Sequence, residues 1–135
     1  MSVYKRICLC GSMTVFPRMK EVRDILESRD IAIEMPSLNE PTDYSSMPES
    51  ERAPHKNEMI RRHLARIRNS DAILVVNEDA KGIKGYIGAN SFLEMGFAFV
   101  LEKPILLLNE IPNQPNRDEI LGLNPRVLKG DLGSI

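Results

Sequence analysis

Glu94 is the acidic residue whose neighbours in the chain fit chemistry. Around it, the segment 71–98 runs from the apolar stretch Ala72-Ile73-Leu74-Val75-Val76 through a polar loop holding Gly82, Gly85 and Gly88 to Asn90-Ser91-Phe92-Leu93-Glu94. The apolar stretch reads as a strand covered on both faces, as in a parallel sheet. Asn90 and Ser91 offer capping side chains and put a helix start near Asn90. Glu94 then lies about one turn inside that helix, close to where a loop and a helix N-terminus receive an anionic ligand. The competing reading makes Glu94 a first-turn glutamate favoured by the helix macrodipole.

Further candidates are scattered. Gly11-Ser12-Met13-Thr14 breaks a first apolar stretch, with the Ser12 hydroxyl available as a donor, although Gly-Ser also marks ordinary turns. Asn77 leaves the strand that precedes Glu94; it either reads a base edge or sugar hydroxyl, or simply forms a turn. Cys8 and Cys10, the two cysteines of the chain, are expected on opposite faces of one strand, unpaired and reduced, as in a cytosolic protein. His55 and His63 stand eight apart with no Cys or carboxylate at zinc-motif spacing, so no metal site is expected. Neither a P-loop nor G-x-G-x-x-G occurs, and no cofactor is expected.

The elements that must position these residues alternate. Val3 to Cys10 reads as a strand, and Pro17 opens a helix in which Met19, Val22, Ile25 and Leu26 recur at helical spacing. Ile31 to Met35 is a short strand. Residues from Pro36 to Pro54 are rich in Pro, Ser, Glu and Asn and read as a lid or exposed loop. A helix from His55 to Asn69 follows, then the strand Asp71 to Val76, the helix Asn90 to Leu101 and the strand Pro104 to Leu108. A short helix, Arg117 to Leu121, and a weak strand, Arg126 to Leu128, complete the series. Such alternation predicts an α/β, flavodoxin-like (Rossmann-like) three-layer sandwich with a five-stranded, mainly parallel sheet in the order 2-1-3-4-5. In such a sheet the ligand sits at the carboxyl ends of the first and third strands, where the Gly11 and Gly88 loops meet.

Composition narrows the partners. With 135 residues and 42% hydrophobic content the chain makes one domain able to bury a core. A net charge of -1 gives no polyanion-binding surface, so nucleic acid is not the expected partner. No segment approaches the length of a membrane span, and the N-terminal apolar run is too short for a signal peptide. The basic run Lys56, Arg61, Arg62, Arg66 and Arg68 is either a solvated helix face or places Arg61 or Arg62 against a nucleotide phosphate.

Three blocks carry a resemblance: Cys10-Gly11-Ser12-Met13, Ser70-Asp71, and Gly88-Ala89-Asn90-Ser91-Phe92-Leu93-Glu94-Met95-Gly96-Phe97-Ala98. Together they resemble the nucleoside 2-deoxyribosyltransferases and the related 2'-deoxynucleoside 5'-monophosphate N-glycosidases. A branch of small prokaryotic proteins with Tyr-Ile-Gly-Gly-Asn-Thr-Phe-Leu-Glu-Met-Gly-Phe-Ala is similar to Tyr86–Ala98, with Ala89 and Ser91 as variants. The resemblance implies that Glu94 is the nucleophile on the anomeric carbon of a nucleoside or nucleoside 5'-monophosphate. It also implies a sugar-phosphate cradle from Gly11, Ser12, Met13, Gly88, Ala89, Asn90 and Ser91, substrate contacts from Asp71 and Asn77, and a homodimer or larger homo-oligomer. The family's second carboxylate, eight residues before the Asp, falls on His63, which can act as a general acid or base. Its aromatic hydroxyl falls on Cys8; Tyr86 is an alternative source.

N-glycosidic bond cleavage passes through an oxocarbenium-like state that a carboxylate stabilises or captures. Deoxyribosyl transfer or hydrolysis is therefore the leading expectation. The alternatives are a non-catalytic nucleotide-binding module of the same fold, and a structural or oligomeric protein whose Met- and Phe-rich helix is only core and interface.

Overall fold

The computed structural model describes residues 2–37 and 46–135. Five strands, β1 (Arg6–Cys10), β2 (Ala32–Glu34), β3 (Ala72–Val75), β4 (Ile105–Leu107) and β5 (Arg126–Val127), form one sheet in the order β2-β1-β3-β4-β5. Every pairing is parallel, so the expected flavodoxin-like order holds. Between the strands run α1 (Phe16–Glu27), α2 (Glu49–Arg68), α3 (Ala89–Val100) and α4 (Arg117–Gly122).

Side chains alternate across a strand, and this assigns the two faces of the sheet. Ile7, Leu9, Leu74, Val76, Leu106 and Leu108 pack with Met19, Val22 and Leu26 of α1. On the opposite face, Cys8, Cys10, Ile73, Val75, Ile105 and Leu107 pack with Ile67 of α2, Met95 and Ala98 of α3 and Ile120 of α4. Burying both faces explains why the central strands carry almost continuous apolar runs.

This arrangement corrects the expectation for the cysteines. The side-chain period of a strand is two, so Cys8 and Cys10 share one face. Both are unpaired and buried against α2 and α3.

The expected loop 36–54 is also revised. Helix α2 already begins at Glu49, with Glu49 and Glu51 in its first turn, where they complement the helix dipole. Pro54 lies inside it, not at its edge. Its missing N–H leaves one helical bond unmade near the N-terminus, and the rest of the helix continues past it. Residues 38–45 of the expected lid lie outside the described residues.

Helix α3 begins at Ala89, with Gly88 as its N-cap and no capping side chain, so Asn90 and Ser91 do not cap it. The helix carries no acidic residue in its first turn. Glu94 is therefore too deep for the first-turn dipole reading, since that effect fades beyond the first turn.

Candidate active site

At the carboxyl ends of β1 and β3, the turn after β1 meets α2 and α3. The turn packs tightly on the start of α1 because residue 11 is glycine: a Cβ there would stand 3.1 Å from Val15 Cγ2 and 3.2 Å from Met19 Sδ. Ser12 follows, its hydroxyl 2.6 Å from that of Thr14. Between this turn and the two helices opens a cavity of about 330 Å3, within the range that takes small organic ligands. Its wall includes Gly11, Ser12, Met13 and Thr14 from the turn, and Asn90, Leu93, Glu94 and Phe97 from α3. Helix α2 supplies Lys56, Met59, Ile60, His63 and Arg66, a face repeating at helical spacing.

At the cavity floor, Glu94 Oε2 lies 2.7 Å from His63 Nε2. The same nitrogen stands 3.6 Å from Cys8 Sγ and 3.3 Å from Cys10 Sγ. His63 and both cysteines are buried, whereas the Glu94 side chain is 14% exposed and reaches the cavity. The two positions at which the chain departs from the resembled pattern, Cys8 and His63, thus meet each other beside Glu94.

Electrostatics make this cluster an ion-pair network. Burial alone would depress His63, but bonding to Cys8 and Glu94 overrides it and raises the imidazole to about 10. Arg66 Nη1, 3.3 Å from Nδ1, works against the second proton. Two anionic partners and the shorter 2.7 Å contact outweigh it. Cys8 is lowered to about 6, first by the Cys10 thiol that bonds to it and then, against burial, by His63. Cys10 moves well upward because it serves as the donor to Cys8 and is buried. Cys8 thus carries a thiolate beside an imidazolium.

Other expected site residues lie elsewhere. Asp71 sits at the opposite, amino end of the sheet, where its Oδ2 accepts the backbone N–H groups of Lys5 (2.7 Å) and Arg6 (3.0 Å). Those two bonds lower its carboxyl below the usual value. Ser91 is buried, and neither it nor Gly88 nor Ala89 lines the cavity. Arg61 and Arg62 bond Asn57 and Glu58 of their own helix and are exposed. Lys56 and Arg66 are the α2 cations on the cavity wall. Tyr86 lies under Lys81 Nζ, 5.4 Å from its ring centroid, and is not part of the wall.

Asn77 is a structural clamp. Its Nδ2 donates to the carbonyls of Gly85, Asn109 and Glu110 at 3.1 to 3.2 Å, and its Oδ1 accepts Asn109 N–H at 2.9 Å. Gly85, at φ 67°, approaches so closely that a Cβ would stand 2.7 Å from Glu110 O. Asn77→Ala strands the buried Gly85 carbonyl and the part-buried N–H and carbonyl of Asn109, at up to about 1–3 kcal/mol each. The urea midpoint is expected to fall by the equivalent of a few kcal/mol without a change in slope. A loss under about 0.5 kcal/mol, as at ordinary surface sites, would rule out the clamp.

No family model and no curated protein matches the chain. Among solved structures, it is similar to a 2-deoxyribosyltransferase from the psychrotolerant bacterium Bacillus psychrosaccharolyticus. The two share 15% identity with a TM-score of 0.56, over 76% of this chain and 70% of that one. At that identity the likeness is one of fold. No described helix is long and apolar enough to cross a membrane.

Proposed function

We propose that the chain is a single deoxyribosyltransferase-like domain that cleaves or exchanges the N-glycosidic bond of a nucleoside or nucleoside 5'-monophosphate. The carrying observation is the Glu94 carboxylate, 14% exposed at the floor of a cavity whose opposite wall is the Ser12 turn. The fold is that of a 2-deoxyribosyltransferase described as a biocatalyst for nucleoside synthesis. Glu94 attacks the anomeric carbon, the bond to the base breaks, and the bonding pair leaves with the base. Water or a second base then displaces the carboxylate.

His63 holds Glu94 through Oε2 and supplies or takes the proton that the base and the acceptor exchange. Gly11, Ser12, Met13 and Asn90 line the sugar side, with the free backbone N–H groups of the first α3 turn nearby. Lys56 and Arg66, on the same wall, suit a 5'-phosphate. Work in the cytoplasm suits unpaired thiols. Assembly as a homodimer or larger homo-oligomer belongs to the same reading, with Phe99 and Val100 of α3 exposed, at 55% and 79%, as an apolar face.

The second reading, a nucleotide-binding module without turnover, draws on the same 2.7 Å contact, because a carboxylate tied to an imidazolium is a weaker nucleophile. A panel of nucleosides and monophosphates separates the two. Base release by the wild type that Glu94→Ala abolishes supports the first; thermal stabilisation by ligand without any base release supports the second. With neither, both readings fail.

A further inference from the structure

Cys8 and Cys10 take no step in the glycosyl-transfer reading, yet their sulfurs and a His63 ring nitrogen lie within 4.8 Å of one another, all three residues buried. We propose that Cys8 Sγ, Cys10 Sγ and His63 Nε2 bind a thiophilic divalent cation of the zinc type, with the Glu94 carboxylate swinging in to take the fourth position. Sequence spacing concealed this set, because the cysteines come from β1 and the histidine from α2.

The three ligand atoms from Cys8, Cys10 and His63 already stand close together, and the Glu94 carboxylate, outside that 4.8 Å group, joins them by a side-chain rotation. Zinc–sulfur and zinc–nitrogen bonds of about 2.3 and 2.0 Å in a tetrahedron put sulfur and nitrogen about 3.5 Å apart. Here Nε2 stands 3.6 and 3.3 Å from the two sulfurs. Glu94 Oε2, at 2.7 Å from Nε2, now shares a proton with it; with the cation in that place, the oxygen retreats to about 3.3 Å. Two thiolates, an imidazole and a carboxylate select a borderline-soft ion over magnesium or calcium, which prefer all-oxygen sites.

The protons balance. Any proton on the two thiols goes to solvent, and His63 gives up the one on Nε2 and coordinates as neutral imidazole, protonated at Nδ1. Arg66 Nη1, now 3.3 Å from Nδ1, turns away into the cavity whose wall it helps to form. Two thiolates and a carboxylate leave one negative charge around the cation, offset by Lys56 and Arg66 on that wall.

Cobalt(II) titration of the reduced, EDTA-treated protein tests the site without any nucleoside. The expected result is one ion per chain, with a thiolate-to-cobalt charge-transfer band and intense tetrahedral d–d bands, displaced by zinc. Cys8→Ser, Cys10→Ser and His63→Gln, each checked for folding by circular dichroism, lose the bands, and His55→Gln keeps them. A folded wild type without the charge-transfer band overturns the proposal, independently of whether any variant folds. Bands that survive His63→Gln unchanged also overturn it. If the chain releases base, zinc is expected to suppress that release by occupying Glu94; if it releases none, the spectra still decide the metal site, so the two proposals fail separately.

Discussion

Glu94→Gln is expected to lower the rate of base release by about a thousandfold or more, while nucleoside monophosphates still stabilise the folded protein. Glutamine keeps the volume of the side chain and its ability to bond His63 at the Oε2 position, 2.7 Å away in the wild type. It removes the negative charge that opposes the oxocarbenium ion and the oxygen that captures it. The cavity wall of Ser12, Thr14, Lys56 and Arg66 is untouched, so binding survives. The loss should appear in kcat with little change in KM, as for a group whose interaction matures only in the transition state. Base release at the wild-type rate would remove Glu94 from the chemistry. A rise in KM alone would make it a binding residue.

How far the sequence carried this site depended on the range of the forces involved. Local patterns were legible: the apolar runs of β3 and β4 and the helical spacing of Met19, Val22 and Leu26 correspond to elements packed as expected. The glycine-bearing loop before α3 did lead to Glu94 at a cavity. Long-range choices were not legible. Nothing near Asn77 in the chain announces that its amide is used up by backbone from residues 109 and 110, on the far side of β4. Arg61 and Arg66 look alike in a basic run, yet Arg61 bonds exposed Asn57 whereas Arg66 meets His63 on the cavity wall, because the face of α2 is set by packing on the sheet. For Cys8 and Cys10 the signal was present and misread. A period of two puts both on one face, and α2 then brings His63 onto them.

Stability of the metal-free, reduced protein is expected to be nearly independent of pH from about 6.5 to 9 as far as this cluster is concerned. The two shifts act in opposite directions there. His63 rises from an ordinary 6.5 to about 10, so its contribution is complete below 6.5 and drains away as pH climbs through 10. Cys8 falls from an ordinary 9.0 to about 6, so its contribution is complete above 9 and is lost as pH falls through 6. Between those limits folding moves one proton from thiol to imidazole and exchanges none with solvent, which is why the slopes cancel. Above pH 9 the Cys8 contribution no longer grows, while His63 and the upward-shifted Cys10 both begin to cost stability. Cys8→Ser removes one side of the balance. The substitution also removes the largest influence raising His63, leaving Glu94 alone to hold the proton against burial. The variant should therefore lose up to about 1.4 kcal/mol of stability per pH unit just above 6.5, where the wild type is flat, over a narrower range than the wild-type shift spans. Urea unfolding at half-unit pH intervals, with EDTA and a reductant present, reads both curves. Parallel curves for wild type and Cys8→Ser would mean that no thiolate–imidazolium pair forms beneath the cavity.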